Sequence, residues 1–311
     1  MIIIMSNEIN HFIQTLDSED GVHKNTIISY KYDINQFGNF IKRRKKSFKS
    51  IIKKDIIDFL NSLKQKKVKN KTKSRKIFAL KRFYKFLISE KIIKNNPIEK
   101  IDIPKSEDTL SIILSVNQIE KILKHVSTKN NNYIDLRSNL IIELLYSTGI
   151  RVSELISIKT NNIDLIKKTI LIDPPEKGKS RKERVVFFGD QTKKVIEKYL
   201  EYRKIYFKKK DSPWLFPSNN TNEFLTRRRV LQIMHNLADI LKIDKKLMHP
   251  HSFRHAFGNH LLNSGADIRV VQKLLGHSSI ITTQKYTEHR EKLIETIENF
   301  HPLNKNNEKI V

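Results

Sequence analysis

The chain reads as a run of amphipathic helices interrupted once by strands. Ile9, Phe12, Ile13 and Leu16 fall at i, i+3, i+4 and i+7, which gives a helix one apolar face. Tyr30, Ile34, Phe37 and Phe40 mark a second helix from Asn25 to Phe40, closed by the basic cluster Lys42 to Lys46. Ile56, Ile57, Phe59 and Leu60 mark a third. Residues 64–76 are nearly all polar and basic and read as a lead-in to a fourth helix on Ile77, Leu80, Phe83, Tyr84 and Leu87. Pro97, Pro104 and the polar run 105–109 read as a linker. The apolar pattern restarts at Leu114, where Ser115 and Gln118 have the spacing of a capping box ahead of Ile119, Ile122 and Leu123. A further helix is expected over Asp135 to Ser147, ended by Gly149.

The expected strands are Thr169 to Ile172 and Arg184 to Phe188, both β-branched and aromatic. They enclose a Pro- and Gly-containing turn loaded with Lys177, Lys179, Arg181 and Lys182, so they predict a hairpin with a basic tip. Helix resumes from Gln191 to about Lys208, and again from Arg227 to Ile240 behind a Thr226 cap. Phe253, Phe257, Leu261 and Leu262 then anchor a helix that Gly265 ends. Asp267 is placed to cap Ile268 to Leu275, and Gly276 ends that element. A polar helix is expected from Glu288 to Phe300, able to fold back or to dock on a neighbouring subunit, followed by a disordered tail. The fold class that follows is mainly α with one small β-hairpin or sheet, in two domains: 1–103 an N-terminal helical bundle, 104–113 a linker, 114–303 an α-rich second domain, 304–311 a tail.

Charge changes this picture. The net charge is +27, and residues 1–100 carry 24 Lys and Arg against 9 Asp and Glu. Over half of the excess charge therefore sits on under a third of the chain, which fits a polyanionic partner, nucleic acid first. A chain so rich in Ile, Lys and Asn also fits a plain compositional bias. The candidate phosphate contacts are Lys66, Lys67, Lys69, Lys71, Lys73, Arg75 and Lys76 in the first domain, with Arg181, Lys182, Arg227 and Arg228 in the second. With no Cys there is neither a disulfide framework nor a thiolate metal site. No apolar run approaches about 18 residues, the length that spans a membrane. A cytoplasmic protein is expected.

Between His249 and Glu288 four polar groups follow in order: His251, Arg254, His277 and Tyr286. His251 and Arg254 are three apart and share a helix face. His277 and Tyr286 are nine apart, so they converge only if the chain turns between them. An arginine fork binds phosphate oxygens, histidine donates or moves a proton, and tyrosine attacks when a base and positive charge activate it. As a set they suggest phosphoryl transfer to tyrosine; singly, each is better read as a helix-end or core residue. Upstream, TGIRVSEL puts Arg151 after a glycine turn, with Glu154 three residues on and able to orient a basic group.

This ordered constellation resembles the tyrosine recombinase, or phage-integrase-like, family. The matching elements are Arg151 in TGIRVSEL, a hairpin lysine, HxxR at His251 and Arg254, LGH at His277, and Tyr286. Length and the FRHAFGNHLL and GADIRVVQ stretches resemble the Xer branch, nearer to XerD than to XerC. The resemblance implies that Tyr286 attacks the scissile phosphate and becomes joined to the DNA 3′ end. It implies that Arg151 and Arg254 hold the non-bridging oxygens, that His251 takes or relays the tyrosine proton, and that His277 bonds the phosphate. It implies, too, that the hairpin lysine protonates the leaving 5′ oxygen. The family's hairpin resembles GKGxKxR; GKSRKER here points to Lys179, and Ser180 in place of the second glycine leaves Lys177 as the alternative. Glu154 falls where the family places a supporting acid. The resemblance further implies duplex DNA as partner, a tetramer on two sites, possibly a second related recombinase, and an activating cell-division DNA translocase. It implies no metal and no ATP. Chromosome-dimer resolution is the expected setting. A mobile-element integrase, a relaxing topoisomerase and a non-catalytic DNA-binding protein on the same fold remain alternatives.

Overall fold

The computed structural model describes residues 2–18, 22, 24–103, 113–129, 132–173, 183–207, 212–218, 223–276, 293, 295–297 and 299–302. The described residues fall into two compact units, one within residues 2–103 and one within 113–302.

The first unit is built from α1 (Ile2–Ser18), α2 (Lys24–Lys42), α3 (Lys53–Gln65) and α4 (Asn70–Ser89). The apolar face of each helix meets the others, so Phe12, Ile34, Phe37, Phe59, Phe83 and Tyr84 are all fully or almost fully buried. Burying one such side chain is worth roughly 1.5–3 kcal/mol. The rings meet edge to face: Phe48 and Phe83 have centroids 4.8 Å apart, Phe37 and Phe59 5.1 Å.

Helix α4 begins at Asn70, inside the stretch expected to lead into it. Lys71, Lys73, Arg75 and Lys76 are therefore helical, in first turns that contain no acidic residue. Lys76 corrects the expected basic surface. It is buried, and its Nζ donates to Asp33 Oδ1 at 2.6 Å. The fully buried Asp33 also accepts from the Arg75 guanidinium. An ammonium on the apolar side of a helix survives only when paired, and Asp33 supplies the pair. Lys66, Lys67, Lys69 and Lys71 are exposed.

The second unit comprises α5 (Val116–Thr128), α6 (Tyr133–Ser147), α7 (Val152–Ile156), β1 (Ile163–Asp164), β2 (Thr169–Ile172), β3 (Arg184–Phe187), α8 (Asp190–Tyr206), α9 (Arg227–Leu241), α10 (Pro250–Asn263) and α11 (Ile268–Leu274). Helix α6 is buried on nearly every side and packs against α5, α8 and α10. The capping box forms as spaced: Ser115 N donates to Gln118 Oε1 at 2.9 Å, and Gln118 N to Ser115 Oγ at 3.2 Å. Thr226 caps α9 and Asp267 caps α11. The sheet is antiparallel in the order β1-β2-β3, with Ile170 opposite Val186, so both point into the core. β1 is the addition to the expected hairpin. Two residues are too few to carry a periodicity, and only pairing with β2 makes them a strand.

Candidate active site

Two turns and one helix start define the site. Gly149 follows α6 with φ +58°, and a Cβ there would lie 2.5 Å from a ring carbon of the buried Phe257. Both the dihedral and the close approach require glycine. The chain then passes through Ile150 to Arg151, the N-cap residue of α7. Arg151 N donates to Glu154 Oε2 at 3.0 Å, and Arg151 Nη1 to Glu154 Oε1 at 3.0 Å. The acid of the TGIRVSEL motif thus holds its own arginine at both ends.

Glu154 is shared. Arg184, the first residue of β3, donates through Nη2 to Glu154 Oε2 at 2.7 Å. Burial pushes the Glu154 carboxyl up, but the charge and hydrogen bond of Arg184, with the bonds and charge of Arg151, outweigh it and hold the group below the usual carboxylate range. It is ionised at neutral pH.

Helix α10 supplies the next groups. His249 is its N-cap, with Nδ1 accepting from Ser252 N at 3.2 Å, and Pro250 occupies the first turn, where its missing N–H costs nothing. His251 is exposed, and its ring lies 5.3 Å from that of His255, one turn on. Partial desolvation, and then the nearby His255, Arg254, His249 and Arg151, lower the His251 pKa. Its imidazole is therefore neutral at pH 7 and able to accept a proton.

Arg254 is buried and reaches two distant turns. Nη1 donates to the Gly149 carbonyl at 2.5 Å, and Nη2 donates to the Leu275 carbonyl. One guanidinium therefore ties the Gly149–Arg151 turn to the end of α11. There Gly276 adopts φ +68°, and the next residue is His277.

The structure thus brings Arg151, Glu154, His251 and Arg254 to the N-terminal half of α10. His277, Tyr286, Lys177, Lys179, Arg181 and Lys182 lie outside the described residues. Arg227 and Arg228 are exposed at the start of α9. In the sequence Arg184 stands as a strand residue and a hairpin-motif position, and its spacing in GKSRKER is the signal that marks it. His255 has no such mark, although it lies one turn from His251. Among the described residues, no group of three or more His, Cys, Asp or Glu could hold a metal ion. No helix among them is long and apolar enough to cross a membrane.

A mainly helical two-part chain with an Arg–Glu turn beside an HxxR helix is the architecture of a DNA strand-transferring recombinase. The description "Phage integrase family" matches residues 113–292, and "Phage integrase, N-terminal SAM-like domain" matches residues 9–91. The chain belongs to the phage integrase family, that is, to the tyrosine recombinases. It is similar to tyrosine recombinase XerD of Rickettsia prowazekii (strain Madrid E), at 39% identity over 96% of this chain and 97% of that one. It is also similar to tyrosine recombinase XerC of Anoxybacillus flavithermus (strain DSM 21510 / WK1), at 37% identity over 90% of this chain and 92% of that one. Two solved structures share its fold. The Tn1549 transposon integrase with circular intermediate DNA aligns with a TM-score of 0.67 at 17% identity, over 92% of this chain and 99% of that one. The XerH recombinase on palindromic difH substrate aligns with a TM-score of 0.65 at 21% identity, over 85% of this chain and 79% of that one.

Proposed function

We propose that the chain is a site-specific recombinase that cuts and rejoins duplex DNA through a 3′-phosphotyrosyl link on Tyr286. The observation that carries this is that Arg254 Nη1, bonded to the Gly149 carbonyl, brings the turn of Arg151 and Glu154 to the end of α10 that carries His251. The Tyr286 oxygen attacks the scissile phosphorus, its proton passes to His251, and the bond to the 5′ oxygen breaks. Lys179, or Lys177 in its place, protonates the leaving 5′ oxygen. Arg151, Arg254 and His277 offset the charge on the non-bridging oxygens as the pentacoordinate state forms. A phosphodiester is exchanged for a phosphotyrosyl ester, so bond energy is kept and no ATP is consumed. Arginine and lysine supply the charge that metal ions supply in two-metal sites. Attack by a 5′ hydroxyl from a second duplex reverses the chemistry and joins new strands.

The likeness to proteins named tyrosine recombinase XerD and XerC supports a Xer-type role, and we extend it to a tetramer on two sites, a four-way junction intermediate and chromosome-dimer resolution at cell division. A second recombinase and a cell-division DNA translocase are the partners this reading implies, in the cytoplasm. Residues 1–103 clasp the DNA and residues 114–303 carry the catalysis.

The test uses nicked duplexes selected from a randomised pool by covalent capture on the wild-type protein, in EDTA. The expected result is a protein–DNA band on a denaturing gel with wild type and none with Tyr286→Phe, while both bind DNA. A wild type that binds tightly and never forms the band, on the pool or on pre-formed four-way junctions, would overturn the reading.

A further inference from the structure

Helix α11 ends in an unusual way. The last carbonyls of a helix lack intrahelical donors and carry the negative end of its dipole. Here two successive carbonyls are taken by arginines from two other elements. Arg184 Nη1 of β3 donates to Leu274 O at 3.1 Å, and Arg254 of α10 donates to Leu275 O. The chain then turns at Gly276, where a Cβ would meet Arg184 Cδ at 3.2 Å and Nη1 at 3.3 Å. Glycine at 276 thus gives the left-handed φ and makes room for the Arg184 side chain. The other arm of Arg184 holds Glu154 Oε2 at 2.7 Å, and Glu154 in turn holds Arg151. The Arg184 side chain is only 14% exposed.

We infer that Arg184 is a positioning residue for strand cleavage: its two arms set Arg151, through Glu154, and the turn that leads into His277, from the strand that leaves the basic hairpin. This deepens the proposed function and rests on it. A planar guanidinium can serve a carboxylate and a carbonyl at once, whereas an ammonium cannot span both in the same geometry. Arg184 acts through its neighbours and is assigned no contact with DNA.

The test compares Arg184→Gln and Arg184→Lys with wild type on the captured nicked duplex. It reads DNA affinity, melting temperature and single-turnover cleavage from pH 5 to 8. Among the described residues, the charged groups facing Glu154 are Arg184 from β3 and Arg151 from its own turn. Without Arg184 the Glu154 carboxyl loses its largest stabilising partner and takes up a proton at higher pH. Arg184→Gln is therefore expected to bind DNA as wild type does. It should cleave on the order of 10- to 100-fold more slowly, because small misplacements at a reacting centre cost that much. Its rate should also fall more steeply toward pH 5 than that of wild type, because Glu154 then takes up a proton in addition to His251. Arg184→Lys restores a charge beside Glu154 but not the second arm, so its fall toward pH 5 matches wild type and its plateau rate remains reduced. Cleavage by Arg184→Gln at the wild-type rate would overturn the inference. So would a loss that tracks melting temperature with the fall toward pH 5 unchanged, or an Arg184→Lys plateau equal to wild type. If Arg184→Gln does not fold, the Arg184→Lys plateau decides. Absence of any wild-type adduct would overturn the functional reading itself, which keeps the two failures apart.

Discussion

At the residue scale, lysines that look alike in the sequence do different work. Lys71 is exposed near the start of α4, whereas Lys76, on the same helix, is buried against Asp33. Lys71→Ala should weaken DNA binding evenly across sequences and flatten the salt slope by about one unit, with little change in melting temperature. Asp33→Ala should leave Lys76 as an uncompensated buried charge and cost about 3–5 kcal/mol of stability; denaturant titration checks this. The charge pattern could not separate the two lysines, because burial depends on which turn of α4 faces α2. The same limit applied to Arg184. Its place in the hairpin motif was visible, but its two partners lie 30 and 90 residues away in the chain.

At the element scale, local chemistry was a reliable guide wherever a signal was complete within a few residues. The Ser115–Gln118 box and the Thr226 and Asp267 caps have short-range causes, and the turns at Gly149, Gly265 and Gly276 are marked by the glycine itself. The start of α4 was misjudged because polar lysines fill its first turns. The helix forms there because its following turns bury Ile77, Leu80, Phe83 and Tyr84. Tertiary burial, more than propensity, decides such starts. Gly149→Ala tests the turn that carries Arg151. It combines a left-handed φ with a 2.5 Å approach to Phe257, so a loss of roughly 1–3 kcal/mol is expected. Cleavage should fall further than stability, since the displaced residues lead directly into Arg151. Paired thermal and single-turnover measurements would show whether the two losses separate.

At the scale of the molecule, the second unit contains two buried groups with opposite responses to pH. His301 is fully buried, its ring tilted against that of Tyr146 with centroids 4.8 Å apart, and is held down to about 4, chiefly by burial. The unfolded chain protonates near 6.5, so folding loses stability as pH falls from 6.5 toward 4. Glu143 is buried, accepts from Thr192 Oγ1 at 2.8 Å, and is pushed up by burial to about 7. Its unfolded value is near 4.5, so stability is lost as pH rises from 4.5 toward 7. Between pH 4.5 and 6.5 the two slopes oppose each other, each at about 1.4 kcal/mol per pH unit in the limit. Glu143→Gln should therefore expose a steep loss of stability toward acid, and His301→Phe the reverse trend; melting curves across that window check both. The strong positive charge adds a further expectation. If about 6–10 phosphates are contacted, affinity should fall by roughly 10³- to 10⁵-fold between 50 and 200 mM salt. A flat salt response in a binding titration would contradict a phosphate-driven interface.

The double arginine grip on α11 also has an evolutionary consequence. Arg184 and Arg254 hold Leu274 and Leu275 by main-chain oxygens, which every amino acid possesses. The hold specifies where the backbone runs without reading which side chains it carries. Lineages can therefore exchange the residues at 274 and 275, within the limits of core packing, without re-inventing the lead into His277. The two arginines have no such latitude, because no other side chain offers a planar fork of the same reach.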